Sequence, residues 1–394
     1  MKRQKLEGLE ETRELPDSMW VEILSRLPSK TLAWVRFVSK KFNHIVSDRK
    51  FIKSQLKPRE QLSGFFFQDE LSIVPKRERA NYISVDRAFP KAEKDVLNFL
   101  PTPPENVVIL SSSNGLVCFK TRLASYEEKF YVCNPFTKEC INLQWSNNPR
   151  IGTMASSRTA LIFEPFKSQI DVSTDFQVVT IFQSLAFEDE FVGLRFSFSI
   201  YSSRTKEWTI SRETCTCDSV LLDVGFAVVV EGVIYWCTFG QCILMFNPET
   251  EQSFLFSKPD PNSSDTLETL LGEAAGLLGE AAGKLQFLQL YEDRGLQVWE
   301  LEDSSSSDWS VKHSISLEEI EKENPCLEGV LTTNEITLLS FKDMTLLMIV
   351  TTGVYAFNID TKKAKLLCPS SELTHNRGRE LFVIPYTMSL VPLG

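Results

Sequence analysis

Apolar residues recur at helical spacing near the start of the chain, between residues 15 and 51. Four of them stand at i, i+3, i+4 and i+7 and form one stripe of an α-helix: Trp20, Ile23, Leu24 and Leu27. Asp17 or Ser18 can cap the start of this helix, and Pro28 ends it because it lacks a backbone amide. The pattern predicts a short first helix.

A second short helix is predicted from Ser29 to Leu32, and a third carries another apolar stripe. That stripe consists of Val35, Val38, Phe42 and Ile45. A helical unit of roughly 40 residues without a disulfide or a metal seldom buries enough surface to be stable alone. We therefore expect its apolar faces to pack on another protein or on the rest of this chain, and periodicity alone leaves both alternatives open.

The pattern changes at Gly64, where short apolar and β-branched runs begin to alternate with turn residues. Thirteen runs have the length and composition of strands: 107–110, 115–119, 129–133, 176–182, 194–201, 226–230, 233–239, 243–246, 285–291, 296–301, 336–341, 346–350 and 354–357. Polar residues around Pro58 separate them from the helices. The sequence thus predicts a helical unit followed by a mainly β domain.

A weak internal repeat orders the predicted strands. An apolar run followed by a turn recurs at Asn134, Asn247 and Asn358, with a looser copy at Ser202. Asn suits the first position of a β-turn because its side chain bonds the backbone where the turn closes. The spacing fits units of about 45 to 60 residues, which is typical of four-stranded propeller blades, and a β-sandwich is the alternative fold.

The helical stretch resembles an F-box. The residues that carry the resemblance are Leu15-Pro16, Ile23-Leu24, Leu27-Pro28, Leu32, Val35-Arg36-Phe37-Val38-Ser39-Lys40-Lys41-Phe42 and Phe51. It departs from the common plant pattern at Ser39, where Cys is frequent, and at Phe42, where Trp is usual. The resemblance implies docking onto the Skp-type adaptor of a cullin-RING ubiquitin ligase. Ten residues would then form or support the adaptor-facing surface: Leu15, Pro16, Ile23, Leu24, Leu27, Pro28, Leu32, Val35, Val38 and Phe42.

The β region is similar to the F-box-associated domain of plant F-box proteins. The similar segments, in order, are 113–118, 134–137, 201–208, 232–236, 298–301 and 385–391. The resemblance implies an irregular, kelch-related propeller that captures a target protein. It gives four expected regions: a flexible N-terminus at 1–14, the F-box at 15–56, a linker at 57–63 and the substrate-binding domain at 64–394.

Charge is unevenly distributed along the 394 residues, whose net charge is −10. Residues 15–56 hold eight Lys or Arg and three Asp or Glu, so the helical unit is basic and the β domain strongly acidic. This excludes nucleic acid as an expected main partner and favours an acidic protein partner for the helices. No run is apolar enough to span a bilayer or serve as a signal peptide, so we expect no membrane association and a location in the cytoplasm or nucleus.

Candidate catalytic chemistry is sparse. The three histidines are far apart, Cys215 and Cys217 lack a second pair at zinc-finger spacing, and no nucleophile elbow occurs. We expect no catalytic, cofactor or metal site. The tandem repeat LLGEAAG-LLGEAAG at 270–283 is interpreted as a duplicated loop.

Two functional hypotheses follow. The first is a non-catalytic substrate receptor of an SCF-type ubiquitin ligase, which binds the adaptor through the F-box and a target through the β domain. The second is a propeller interaction or enzyme domain that the N-terminal helices merely brace. Adaptor binding without ligase activity is a further possibility that the sequence does not separate from the first.

Overall fold

The structure is a computed structural model that describes most of the chain. The described residues are 15–27, 29–55, 62–69, 81–85, 96–103, 106–121, 129–144, 158–165, 167, 172–188, 191–217, 222–238, 242–259, 276–291, 294–305, 307–331, 336–370 and 381–393. Residues 1–14, for which we expected a flexible N-terminus, lie outside these ranges, as do Pro28 and most of the predicted linker.

Four helices begin the described chain, one more than predicted. They are α1 (Asp17–Ser25), α2 (Ser29–Val35), α3 (Lys40–Ser47) and α4 (Arg49–Gln55). The predicted third helix is interrupted, since Val35 ends α2 and Val38 lies in the connection before α3. Asp48 then leaves the helix in an extended conformation, and its carboxylate accepts the amides of Lys50 (2.8 Å) and Phe51 (3.2 Å) at the start of α4.

The start of α1 also differs from the prediction. The residue at the N-cap position is Pro16, which offers no side-chain hydrogen bond. Asp17 instead lies in the first turn, where its negative charge favours the helix dipole, and its carboxylate is 2.7 Å from the Lys41 ammonium on α3. This exposed ion pair links two helices and contributes little stability by itself.

The remaining described elements are mainly strands, which group into six blades. Blade 1 is β3 (Val107–Ser113), β4 (Leu116–Thr121), β5 (Phe130–Asn134) and β6 (Glu139–Leu143). Blade 2 is β7 (Arg158–Phe163), β8 (Phe176–Glu188), β9 (Phe191–Ser202) and β10 (Glu207–Cys217). Blade 3 is β11 (Leu222–Val230), β12 (Val233–Thr238), β13 (Cys242–Asn247) and β14 (Gln252–Ser257).

The last three blades complete the ring. Blade 4 is β15 (Leu277–Ala281), β16 (Lys284–Tyr291), β17 (Gly295–Asp303) and β18 (Asp308–Ile315). Blade 5 is β19 (Thr337–Lys342), β20 (Thr345–Val350), β21 (Gly353–Asn358) and β22 (Lys363–Pro369). Blade 6 has three described strands from the two ends of the domain, β1 (Gly64–Asp69), β2 (Asn81–Ser84) and β23 (Leu381–Tyr386). A helix, α5 (Leu317–Glu323), lies between blades 4 and 5 along the chain.

The first strand of each four-stranded blade lies at the centre of the ring, and in blade 6 the innermost strand is β23. β3, β7, β11, β15, β19 and β23 each contact the corresponding strands of the two neighbouring blades. β15 and β19 come close enough to pair in parallel, so blades 4 and 5 form one continuous eight-stranded sheet. A Cβ on Gly279 would lie 2.4 Å from the Phe341 ring, so the absence of a side chain permits this approach.

The ring is closed by strands from opposite ends of the domain. β1 pairs antiparallel with β23 from Gly64↔Tyr386 to Asp69↔Leu381, and β2 continues the sheet outward. The propeller prediction is therefore confirmed, whereas a β-sandwich is excluded because the sheets surround an axis instead of facing each other in two layers.

All thirteen predicted runs overlap a strand, and ten of the described strands were missed by the pattern, among them the buried strands β7 and β23. The missed strands also include the outermost strand of every four-stranded blade: β6, β10, β14, β18 and β22. These strands are largely exposed or half-buried, as in β10, so few of their positions are apolar. Without an apolar run, periodicity gives a weak strand signal.

The predicted turns are confirmed between the third and fourth strands. The side-chain oxygens of Asn134, Asn247 and Asn358 accept the amides of Thr137 (3.2 Å), Thr250 (3.4 Å) and Thr361 (2.8 Å). In blade 4 the corresponding turn begins with Asp303, whose carboxylate accepts the amide of Ser305 at 2.9 Å. A similar bond from a side-chain oxygen to a turn amide thus occurs in blade 4, where the sequence analysis identified no copy of the repeat.

The tandem repeat is not simply a duplicated loop. Its second copy forms β15 at the centre of blade 4, with the following Gly283 in the turn to β16. Residues 270–275 of the first copy lie outside the described part of the chain. The loop interpretation was wrong for the second copy because Leu277 and Leu278 receive their packing partners from other strands, which local sequence does not reveal.

The segment after β23 holds blade 1 against the rest of the domain. The Asn134 side-chain amide donates to the carbonyls of Ser389 (3.0 Å) and Val391 (2.9 Å), and the Leu393 amide donates to Glu139 (2.9 Å). Val391 is fully buried. We call residues 387–393 the C-terminal segment.

We expect Gly115→Ala to destabilise the protein by about 3 kcal/mol, from about 1 kcal/mol for its left-handed backbone and about 2 kcal/mol for overpacking. Its φ is +94°, and an added Cβ would lie 2.2 Å from the Ser389 Cβ. Gly329→Ala is the matched control because its φ is +70° with nothing within 4 Å of the added atom. Denaturant unfolding measures both, and equal losses would contradict a tight approach of the C-terminal segment to blade 1.

Candidate functional site

Helix α1 has apolar residues on two sides, and the two sides have different environments. Leu24 is buried inside this chain. Leu15, just before the helix, and Met19 and Ile23 within it are spaced by four residues, so they share one side, and all three are exposed. A helix in water gains nothing by exposing such a row, so this side is available to a partner.

The connection from α2 to α3 exposes still larger apolar side chains. The exposed fractions are 71% for Trp34, 86% for Phe37 and 71% for Val38. Trp34 lies near the end of α2, and the amides of Phe37 and Val38 bond back to the carbonyls of Trp34 and Val35 at 3.0 Å in both cases. The backbone is therefore ordered by hydrogen bonds while the side chains point away from the core.

Exposed large apolar residues are concentrated in the helical region. Within the described chain there are ten, and seven of them lie between residues 15 and 38. We call these seven the exposed apolar set: Leu15, Met19, Val21, Ile23, Trp34, Phe37 and Val38. The other three, Ile210, Val311 and Leu366, lie on the outermost strands of three different blades. The helices, and not the outer edges of the blades, thus provide the main apolar surface for a partner.

The ten residues predicted from the sequence divide by exposure. Four are exposed: Leu15, Pro16, Ile23 and Val38. Leu24 and Leu32 are buried, and Leu27, Val35 and Phe42 are half-buried and pack against the same core. Pro28 lies outside the described residues. The buried members can therefore support a docking surface only from behind.

Four members of the exposed apolar set were not among the predicted residues: Met19, Val21, Trp34 and Phe37. Met19, Val21 and Trp34 fall outside the two apolar stripes that helical periodicity selects, and Phe37 lies in the connection between α2 and α3. The sequence did offer one indication of an exposed apolar residue. Phe37 is a large aromatic residue between Arg36 and Val38, in a region otherwise rich in charge.

Phe42 and Ser39, the two departures from the common F-box pattern, both have local explanations. The Phe42 ring makes an edge contact with Trp20 on α1, with 4.9 Å between ring centroids. The Ser39 hydroxyl accepts the Phe42 amide at 3.1 Å and so caps α3. An aromatic residue is sufficient for the contact, and serine supplies a stronger cap than cysteine because oxygen is the better acceptor.

The helices share one hydrophobic core with the propeller. This core contains Leu24, Leu32, Ile45, Val46, Phe51 and Ile52 from the helices, buried residues of blades 1 and 2, and Leu390 and Val391 of the C-terminal segment. Packed interiors resist relative motion of their parts. The orientation of the exposed apolar set relative to the blades is therefore fixed by packing.

Other classes of site find little support in the described residues. No group of three His, Cys, Asp or Glu side chains is arranged to hold a metal ion. The described cysteines are free thiols, and burial raises the pKa of Cys140 and of Cys215 to about 11, which opposes thiolate formation near neutral pH. None of the described helices is long and apolar enough to cross a membrane.

Comparison with known families matches both parts of the chain. Residues 13–54 match the F-box domain, and residues 88–368 match the β-propeller described as "F-box protein At3g26010-like". The fold and the exposed helical surface thus belong to the class of F-box proteins with a propeller. The chain is a member of the F-box protein At3g26010-like β-propeller family.

Two plant relatives are similar to most of the chain at low sequence identity. F-box protein At5g49610 of Arabidopsis thaliana is 28% identical over 338 residues, covering 82% of this chain and 85% of the relative. F-box protein At5g07610 of the same species is 26% identical over 315 residues, covering 77% of this chain and 70% of the relative. Among solved structures, apo AztD from Citrobacter koseri is 7% identical in the matched region, which covers 82% of this chain and 97% of that protein, with a TM-score of 0.34.

We expect Ser39→Ala to weaken α3 by about 1 kcal/mol, because it removes the acceptor of the Phe42 amide. Amide hydrogen exchange of residues 42–45 should then accelerate by about fivefold, the factor that 1 kcal/mol represents. Ser39→Asp retains a capping oxygen and should exchange nearly as slowly as the parent. Equal acceleration in both variants would show that the cap is not what holds this helix start.

Proposed function

We propose that this protein is the substrate-receptor subunit of an SCF-type cullin-RING ubiquitin ligase. The F-box binds the Skp-type adaptor, and the propeller holds a target protein. Ubiquitin is transferred by other subunits, so the receptor itself forms no bond. It acts by raising the effective concentration of target lysines near the ubiquitin-conjugating enzyme.

The proposal rests mainly on the exposed apolar set of the F-box. An F-box domain implies binding to a Skp-type adaptor, and these side chains give that partner an apolar contact surface. Leu15, Pro16, Ile23 and Val38 contact the adaptor directly in this proposal. Leu24, Leu27, Leu32, Val35 and Phe42 hold the contacting residues in position from behind, and Pro28 belongs to the same predicted surface.

Charge supports the same partner class. The F-box region carries an excess of Lys and Arg, and Lys40 and Lys50 are exposed there. Basic groups around an apolar contact attract an acidic partner and accelerate association more than they add affinity. An acidic adaptor is the partner that these helices fit best.

The shared core gives the receptor a fixed geometry. A flexible tether between F-box and propeller would spread target lysines over a large volume and lower their effective concentration at the enzyme. Packing of Val46 and Ile52 in the same core as Leu390 and Val391 avoids this loss. The propeller is thus presented to the ligase at a defined angle.

The rival hypothesis, that the helices only brace the propeller, accounts for part of the structure. Leu24 and Leu32 do pack inside this chain, so deleting residues 1–56 is expected to destabilise the propeller under either hypothesis. Bracing does not account for the exposed apolar set. Surface substitutions, which leave the shared core intact, therefore separate the two hypotheses.

We expect Ile23→Asp with Val38→Asp to weaken binding to a recombinant Skp-type adaptor by at least about 100-fold, since charges would be placed in an apolar contact. Both residues are exposed, so the variant should melt within a few degrees of the parent. Isothermal titration calorimetry with the purified chains measures the change.

The matched control is Ile210→Asp with Val311→Asp, which alters two apolar residues of the propeller with exposed fractions of 54% and 46%. It should bind the adaptor as the parent does. Unchanged adaptor binding by the Ile23 and Val38 variant would contradict the proposed surface. If the protein binds the adaptor but is not itself ubiquitylated in the reconstituted cullin complex, it binds the adaptor without acting as a ligase receptor.

A further inference from the structure

The six innermost strands end together at one mouth of the propeller channel. These strand ends line a common cavity of about 950 Å³. Each strand contributes one polar residue to the lining, which is either the residue that directly follows the strand or the last polar residue within it. Going around the ring, these residues are Asn114, Glu164, Glu231, Glu280, Asp343 and Thr387. We call them the polar ring. Lys53 of α4 lines the same cavity, so the F-box forms part of its wall.

Four consecutive blades contribute a carboxylate to the polar ring, which makes this mouth of the channel attractive to cations. Lys53, Lys167 and Lys342 also line the cavity, but Lys167 is bound by Glu249 and lies 3.8 Å from the Glu164 carboxylate. Rings of carboxylates around an opening attract cations because their fields add at the centre.

The electrostatic environment of Glu164 also favours a cation at this mouth of the channel. Partial burial raises the pKa of its carboxyl, Lys167 opposes this effect, and the carboxylates of Glu249 and Glu231 add to it. A carboxylate with too little compensating positive charge is stabilised by an arriving cation.

Thr387, which directly follows β23 of blade 6, contributes a buried hydroxyl group to the polar ring. Only 3% of this residue is exposed, it lines the cavity, and its buried hydroxyl has no hydrogen-bond partner among the described residues. Such a group costs free energy unless something accepts or donates a hydrogen bond there. An ammonium or guanidinium group in the cavity can donate that bond.

The arrangement favours an extended organic cation over a metal ion. No three acidic side chains of the described chain are placed to share one metal ion. The carboxylates are instead distributed over four blades around a cavity large enough for a small organic molecule or a peptide segment. Several positive groups on a flexible chain can each meet a different carboxylate.

We propose that the polar ring binds extended polycations through their ammonium or guanidinium groups. Two sources supply this chemistry, a free polyamine and a Lys- and Arg-containing segment of a protein. The site is separate from the exposed apolar set and does not depend on adaptor binding.

Calorimetric titration of the full chain at low ionic strength tests the proposal, because ion pairs at a partly exposed site are screened by salt. The probes are spermidine and an acetylated peptide of alternating Arg and Gly, with the citrulline version of the peptide as a neutral control. Binding of either charged probe, but not of the citrulline peptide, supports the proposal, and the probe that binds identifies the source. Failure of both charged probes to bind overturns it.

Two sets of variants are expected to change the affinity for the charged probes in opposite directions. Glu231→Gln with Glu280→Gln removes two ring charges and should weaken binding about tenfold, whereas Lys342→Gln removes an opposing charge and should tighten it about threefold. The amide of glutamine preserves an acceptor for the Gly283 amide, which donates to Glu280 at 2.8 Å. Reversed signs would indicate an anion site and overturn the proposal.

The matched control is Glu318→Gln with Glu328→Gln, which makes the same change in net charge at two exposed residues away from the cavity. Its affinity should equal that of the parent. If this variant loses as much affinity as the ring variant, the probes respond to the net acidity of the protein and the polar ring is not a site.

Discussion

The structure depends on the pairing of β1 with β23, because this pairing closes the ring with strands from opposite ends of the domain. The six residue pairs between them join strands far apart in sequence. Without this contact, β3 and β19 would each lose their neighbour β23. The C-terminal segment follows β23 directly, so the closed ring also positions Leu390 and Val391 beneath the F-box. One backbone pairing thus sets both the shape of the propeller and the attachment of the helices.

The F-box illustrates how a short helical unit meets two demands. Its helices are too small to form a stable core alone, and the structure resolves this by merging their buried residues with those of blades 1 and 2. Apolar residues remain exposed on α1, on α2 and in the connection that follows α2, and the exposed Ile23 lies next to the buried Leu24 on α1. The residues that hold the helices on the propeller are therefore different from the exposed apolar set, so substitutions in that set leave the shared core intact.

Repetition of blades gives the channel its chemistry. Every blade delivers one position to the same mouth, at or just after the end of its innermost strand. Turns accept many residue types at the positions where the innermost strands end. Polar residues are favourable there because the mouth of the channel is in contact with solvent. A ring of carboxylates can therefore be built from positions that are far apart in sequence and need no direct contact with one another. Lys53 extends this mouth to the F-box.

The sequence alone determined the features that depend on local spacing. Helical stripes located the F-box, apolar runs located thirteen of the strands, and Asn134, Asn247 and Asn358 located equivalent turns, because each signal needs only a few neighbouring residues. Tertiary structure decided which apolar residues face inward, since Leu24 and Ile23 are indistinguishable by hydropathy. It also decided that β15 forms a channel strand, that polar outer strands complete each blade, and that the polar ring converges. These outcomes depend on partners supplied by distant strands, and no local pattern encodes the identity of a distant partner.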